Sequence, residues 1–192
     1  MINFLNKTGY LIVISILWVI FCIPVITAAA ATTSLYYAVV KCVVHDRSYP
    51  VKEFFGSFKR TFLKGIPVSI IMVISAFSVY LYGQKGLLPF LLMLFLITGI
   101  FIFYFPVNSR FIMKQTDMFI MAITMVFRYI YISVPMAAVL IIIMYAVIKY
   151  FPLCLLIAPA LTAYVFSFFI EKPLKTYMKK AKDDNPDSWY FE

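Results

Sequence analysis

Apolar residues run along this chain in long blocks separated by short mixed stretches. Residues 8–40 carry no charged side chain, and further uncharged blocks cover 65–82, 87–107, 129–146 and 151–170. A helix rising 1.5 Å per residue needs about 20 apolar residues to cross roughly 30 Å of hydrocarbon. The blocks therefore predict an all-α polytopic membrane helix bundle of about five transmembrane helices, near 8–30, 65–82, 87–107, 129–149 and 151–170. The turn "GQKG" at 83–86 joins the second and third, and Lys149 with Pro152 marks a tight connection before the fifth. No domain boundary or internal repeat stands out, so residues 1–192 read as a single helical membrane domain.

The mixed stretches carry their own pattern. "VKEFFGSFKRTFLKG" spaces Phe54, Phe58 and Phe62 four residues apart with Phe55 beside them, while Lys52, Glu53, Lys59 and Arg60 take other directions. This predicts a helix over about 50–63 with an aromatic stripe and a basic side. Such a helix lies in the interface plane, rings towards acyl chains and cations towards headgroups; packing of the stripe beneath the bundle fits the spacing equally well. A second amphipathic helix is expected over about 110–127. The tail 171–192 passes from basic to acidic, with Trp189 and Tyr190 placed to dock at the interface or in a groove.

The first block is too long for one upright helix and short for a hairpin. Its second half reads "CIPVITAAAATTSLYYAVVK". Pro24 removes a backbone donor and clashes with the preceding turn. Ala28–Ala31 would let a neighbouring helix approach closely. Thr27, Thr32, Thr33 and Ser34 can return hydroxyl hydrogen bonds to freed carbonyls or face a polar cavity. A broken or kinked first helix follows, one span plus a bent half-helix sliding to the cytoplasmic interface with Tyr36 and Tyr37 as anchors. Broken helices with hydroxyls also build transporter sites, but a kink with close packing is the simpler reading here.

Composition sharpens the class. The chain is 64% hydrophobic and 13% charged, with mean hydropathy +0.96. Soluble domains sit near 45–50% apolar and 25% charged, so the excess calls for lipid as solvent. A net charge of +9 raises nucleic acid as a partner. Basic residues, however, gather in cytoplasmic loops of membrane proteins, and no nucleic-acid motif is present. Fourteen of the 17 Lys/Arg lie in 41–64, 110–128 and 172–182. That bias predicts cytoplasmic long loops and C-terminus and, with five spans, an outside N-terminus. Lys7, the apolar run 10–23 and the alanines 28–31 imitate a secretory signal, but the embedded remainder favours an uncleaved signal anchor.

Candidate chemistry is sparse. No ionisable residue falls deep in a predicted span: Glu171 sits at a span end and Arg110 in a loop. Proton-coupled carriers usually show an intramembrane carboxylate or histidine. H-E-x-x-H, G-x-S-x-G and the P-loop are all absent, and His45 stands in a polar turn. Cys22, Cys42 and Cys154 offer neither a disulfide framework nor a four-ligand zinc set. The sequence predicts no enzyme, no metal and no cofactor.

"IPVITAAAATTSLYY" followed by "VKEFFGSFKRTFLKG", together with the ending "SWYFE", resembles the YesL-like family of bacterial multi-pass membrane proteins. Alanines stand at Ala28–Ala29 where that family usually has glycine. The resemblance implies a small all-helical protein of the bacterial plasma membrane without established biochemical activity. It also implies, by association, an accessory role in carbohydrate uptake with a sugar-transporter subunit as partner. The alternative is a small permease or channel with the Thr27–Ser34 hydroxyls along its path.

Overall fold

The computed structural model describes residues 2–46, 49–83, 86–111, 113–149 and 157–181. The first helix, α1 (Ile2–Cys22), stops just before Pro24. A 3-10 turn, Val25–Thr27, leads into α2 (Ala28–Val39), whose last residues widen into a π turn, Val40–Val44. The break falls where the proline predicts it, but its result is a hairpin. Lys7 Nζ, near the start of α1, lies 2.9 Å from Asp46 Oδ2, beyond the end of α2. Trp18 Nε1, near the end of α1, donates to Thr32 Oγ1 at 3.1 Å, near the start of α2. The two helices are therefore antiparallel, and the first turn of the chain lies at the same end of the molecule as the segment after α2, not at the opposite end. Tyr36 and Tyr37 are buried instead of anchoring an interface.

Next comes α3 (Pro50–Gly83), 34 residues without interruption. The sequence predicts an amphipathic helix over 50–63, interfacial or packed beneath the bundle, and a separate span over 65–82. Gly65 and Pro67 look like a boundary, yet α2 packs across it and holds both halves in line. At one end Lys41 pairs with Glu53 at 2.7 Å; at the other Ala29 N donates to Ser69 Oγ at 3.1 Å. Gly86, at φ +137°, closes the turn in a backbone region that L side chains avoid, and α4 (Leu87–Arg110) returns. α4 runs one turn beyond the predicted 107, which puts Arg110 inside the helix.

The amphipathic helix predicted over 110–127 is α5 (Gln115–Arg128), and α6 (Ile130–Lys149) leaves it at a 99° bend. α7 (Ala158–Ala181) continues through 171, so Glu171 lies in mid-helix and not at the start of a tail. The first residues of the predicted fifth span, 151–156, lie outside the described residues, as do Trp189 and Tyr190.

Two apolar cores hold the bundle. One joins Phe103 and Tyr104 of α4 to Met118 and Met125 of α5 and to Ile170 and Leu174 of α7. The other wraps α2, with Ile14, Leu35, Val39, Phe54 and Ala160. The outer faces are also apolar: Ile74, Phe77, Leu88 and Ile142 are all more than half exposed. Val25–Val44, Pro50–Leu81 and Leu88–Arg110 are long and apolar enough to cross a bilayer, and the bent pair α5–α6 makes a fourth if counted as one. The architecture is an all-α bundle compatible with a membrane protein.

Candidate functional site

The predicted hydroxyl cluster forms around the break, and its hydroxyls turn inward. Thr27 Oγ1 lies within hydrogen-bond reach of the carbonyls of Phe21 and Pro24 at the helix break; the Pro24 carbonyl also accepts from Thr27 N at 2.9 Å. Thr32, Thr33 and Ser34 each donate to the carbonyl four residues earlier, at 2.8, 2.9 and 2.7 Å. Their oxygens then accept from neighbours: Trp18 on Thr32 and Asn108 Nδ2 on Thr33, at 3.2 Å. The hydroxyls thus fasten α2 to α1 and α4. Pro24 is exposed at the tip with Ile23, Val25 and Ile26.

The alanines do what their size allows. A Cβ placed on Gly65 of α3 would lie 2.9 Å from Ala30 Cβ and 3.0 Å from its backbone nitrogen. The two helices touch there nearly backbone to backbone, the close approach that small residues permit. α2 and α7 each donate a first-turn N–H to a serine of another helix. Ser69 accepts from Ala29 N, and Ser15 Oγ accepts from Ala160 N at 3.2 Å. Each serine satisfies one of the free first-turn donors of another helix.

The aromatic–basic stretch divides. Phe54 is fully buried, stacked on Phe58, and both pack against Phe21 of α1 at 5.9 and 4.6 Å. Phe55 and Phe62 are exposed. Lys59 points to the surface, while Arg60 lies over the Tyr37 ring at 5.1 Å. One side of the stripe is core and the other is outer surface.

The structure also assembles a site that the linear pattern concealed. Arg110 Nη2 lies 3.0 Å from Glu171 Oε1, with side-chain exposures of only 3% and 12%. Tyr36 Oη donates to the same oxygen at 3.1 Å. A cation from α4, a carboxylate from α7 and a phenol from α2 thus meet in the interior. Glu171 Oε2 is buried with no hydrogen-bond partner. The linear pattern places Arg110 in a loop and Glu171 at a span end, whereas α4 extends to Arg110 and α7 runs past Glu171. The available signal was the unbroken helical spacing through "SFFIEKPLKTYM", which Pro173 masks.

Beside this cluster lies a cavity of about 610 Å³ lined by α3, α4, α6 and α7, with Trp18, Thr32, Leu35 and Tyr36 also in its wall. Its wall is overwhelmingly apolar. Among the described residues, no three His, Cys, Asp or Glu side chains group as metal ligands. The cavity is apolar in character, and the Arg110–Glu171 ion pair lies beside it.

Residues 11–82 match a family described as "Protein of unknown function, DUF624". That stretch contains α1, α2 and nearly all of α3, including both the break and the aromatic–basic segment. No curated protein and no solved structure matches the chain.

Proposed function

We propose that this protein is a non-enzymatic accessory or regulatory component of the bacterial plasma membrane, a YesL-like protein associated with carbohydrate uptake. The observation that supports it is the commitment of its polar groups. The Thr27, Thr32, Thr33 and Ser34 hydroxyls all donate to their own chain. Arg110, Glu171 and Tyr36 close on one another. A sugar crossing the bundle would leave its hydroxyls uncompensated in an apolar cavity, at about 2–7 kcal/mol each. A scaffold that positions a partner needs no such path.

Basic residues favour the cytoplasmic side, which puts 41–64 there. The Lys7–Asp46 pair then brings the start of the chain to that side too, so α1–α2 enters and returns as a hairpin. The C-terminal half of α7, with Lys172 and Lys175 exposed, joins them. The exposed face of Tyr49, Val51, Phe55 and Phe62, flanked by Lys52 and Lys59, is the surface offered to a partner or to headgroups.

Crosslinking in native membranes followed by affinity purification tests the reading. A sugar-importer component should return repeatedly; its consistent absence would sink the accessory role. Purified protein alone in vesicles should pass no sugar, and flux across a sugar panel would favour a permease instead.

A further inference from the structure

The cavity beside Tyr36 is too large to be a packing defect. Its volume of about 610 Å³ lies inside the roughly 300–1,000 Å³ range of ligand sites. Water is a poor occupant, since an apolar cavity of about 150 Å³ stays dry. A polar solute finds few donors there. Trp18 N–H is spent on Thr32, and Thr32 on Ala28. Tyr36 is spent on Glu171, Ser75 on Met72 and Thr162 on Pro159.

A slender, flexible hydrocarbon suits this space, because side chains from α3, α4, α6 and α7 all line it. The wall gives it aromatic and branched contacts on several sides: Phe101 and Phe105 from α4, Leu140 and Ile143 from α6, Phe166 from α7. The wall is also open in part, since Ala76 lines it and remains exposed. The surrounding bilayer presents acyl chains at high local concentration.

We propose that this cavity holds one acyl chain of a membrane phospholipid as an integral part of the fold. The chain fills the space between α3 and α7, in contact with the wall residues of all the helices that line it. The proposal is independent of any sugar-importer partner.

Native mass spectrometry of the full chain, released from phosphatidylglycerol–phosphatidylethanolamine nanodiscs, tests it. Wild type should retain one phospholipid. Ala76→Phe, which pushes a ring into the cavity, should lower that occupancy about tenfold or more, the effect of a modest loss of binding free energy. Ile74→Phe, which places the same ring on the exposed face of the same helix, should leave it unchanged. A folded wild type without bound lipid, or equal retention by the two variants, would overturn the proposal. A second measurement needs no variant. Phospholipid carrying a diazirine at the end of its acyl chain should label Met72, Ile97 or Leu140 on the cavity wall; labelling confined to outward residues such as Ile74, Leu92 and Ile142 would refute it.

Discussion

The stretch Val25–Val44, built around α2, and the stretch Pro50–Leu81 of α3 are both long and apolar enough to cross a bilayer, yet the bundle treats them oppositely. Of the apolar stretch within Val25–Val44, 72% is buried, against 17% within Pro50–Leu81. The buried helix is the less apolar of the two. In water the order would be reversed, because burial there is driven by removing apolar surface from solvent. Lipid tails are as apolar as leucine, so apolar character no longer sorts inside from outside. Small side chains that admit a neighbour and hydroxyls that bond across helices do the sorting. α2 has both, in "AAAATTS"; the later half of α3 has "IIMVISAF", bulky and suited to lipid.

The largest test of this contrast removes the charge pairing beside α2. Glu171 is the carboxylate that balances Arg110 and receives Tyr36, deep in the bundle. Glu171→Ala should destabilise the protein by about 3–5 kcal/mol, the cost of breaking a buried ion pair from one side. The readout is reversible unfolding in mixed micelles by titration with a denaturing detergent. Replacing both partners, Arg110→Leu with Glu171→Leu, should recover most of that loss, since the desolvation cost of both charges disappears. A double variant as unstable as the single one would mean that the pair does more than hold α4, α7 and α2 together.

A smaller effect is expected where α2 meets α3. Gly65→Leu places a branched side chain against Ala30, whose backbone stands 3.0 Å from the first added carbon. Backbone cannot rotate aside as a side chain can, so the helices must separate. Overpacking of this kind costs about 1–3 kcal/mol, and the upper end is expected here. The companion Gly56→Leu, in the same helix with open space around it, should cost under about 0.5 kcal/mol. Equal losses would show that helix–helix contact is not what Gly65 supplies.

Much of this arrangement was legible in the chain, and the failures share one cause. The helix break at Pro24, the role of Ala28–Ala31 as a contact surface and the back-bonding of Thr27 and Thr32 all follow from local chemistry: a missing donor, small side chains, short hydroxyl reach. The amphipathic α5 was visible in its spacing. What local chemistry cannot report is what stands next to it. Pro67 and Pro173 look like helix ends in isolation; the helices continue past them, at Pro67 because α2 is packed across the site. Tyr36 looks like an interface anchor until Glu171, 135 positions away, becomes its hydrogen-bond acceptor. Arg110 and Glu171 looked peripheral because each was placed by its own block boundary. The pair exists only once α4 and α7 are both seen to run on.

The smallest expected effect makes the comparison in its purest form, with one chemical change made on each helix. Val39 of α2 is fully buried, and Val73 of α3 is half exposed on the outer face. Val39→Ala removes two methyl groups from a packed site between helices that cannot collapse onto the gap, and should cost about 2 kcal/mol by the cavity mechanism. Val73→Ala removes the same two groups from an exposed surface that in a bilayer would face mobile acyl chains. Lipid flows into the vacated volume, so no cavity forms and the dispersion contacts are replaced. The expected change is under about 0.5 kcal/mol. The same unfolding titration, run in bilayer-like bicelles so that acyl chains are present, reads both. If Val73→Ala matched Val39→Ala, the outer face of α3 would be a packed interface with another protein, and the division between a buried helix of small residues and a lipid-facing helix of large ones would have to be redrawn around that partner.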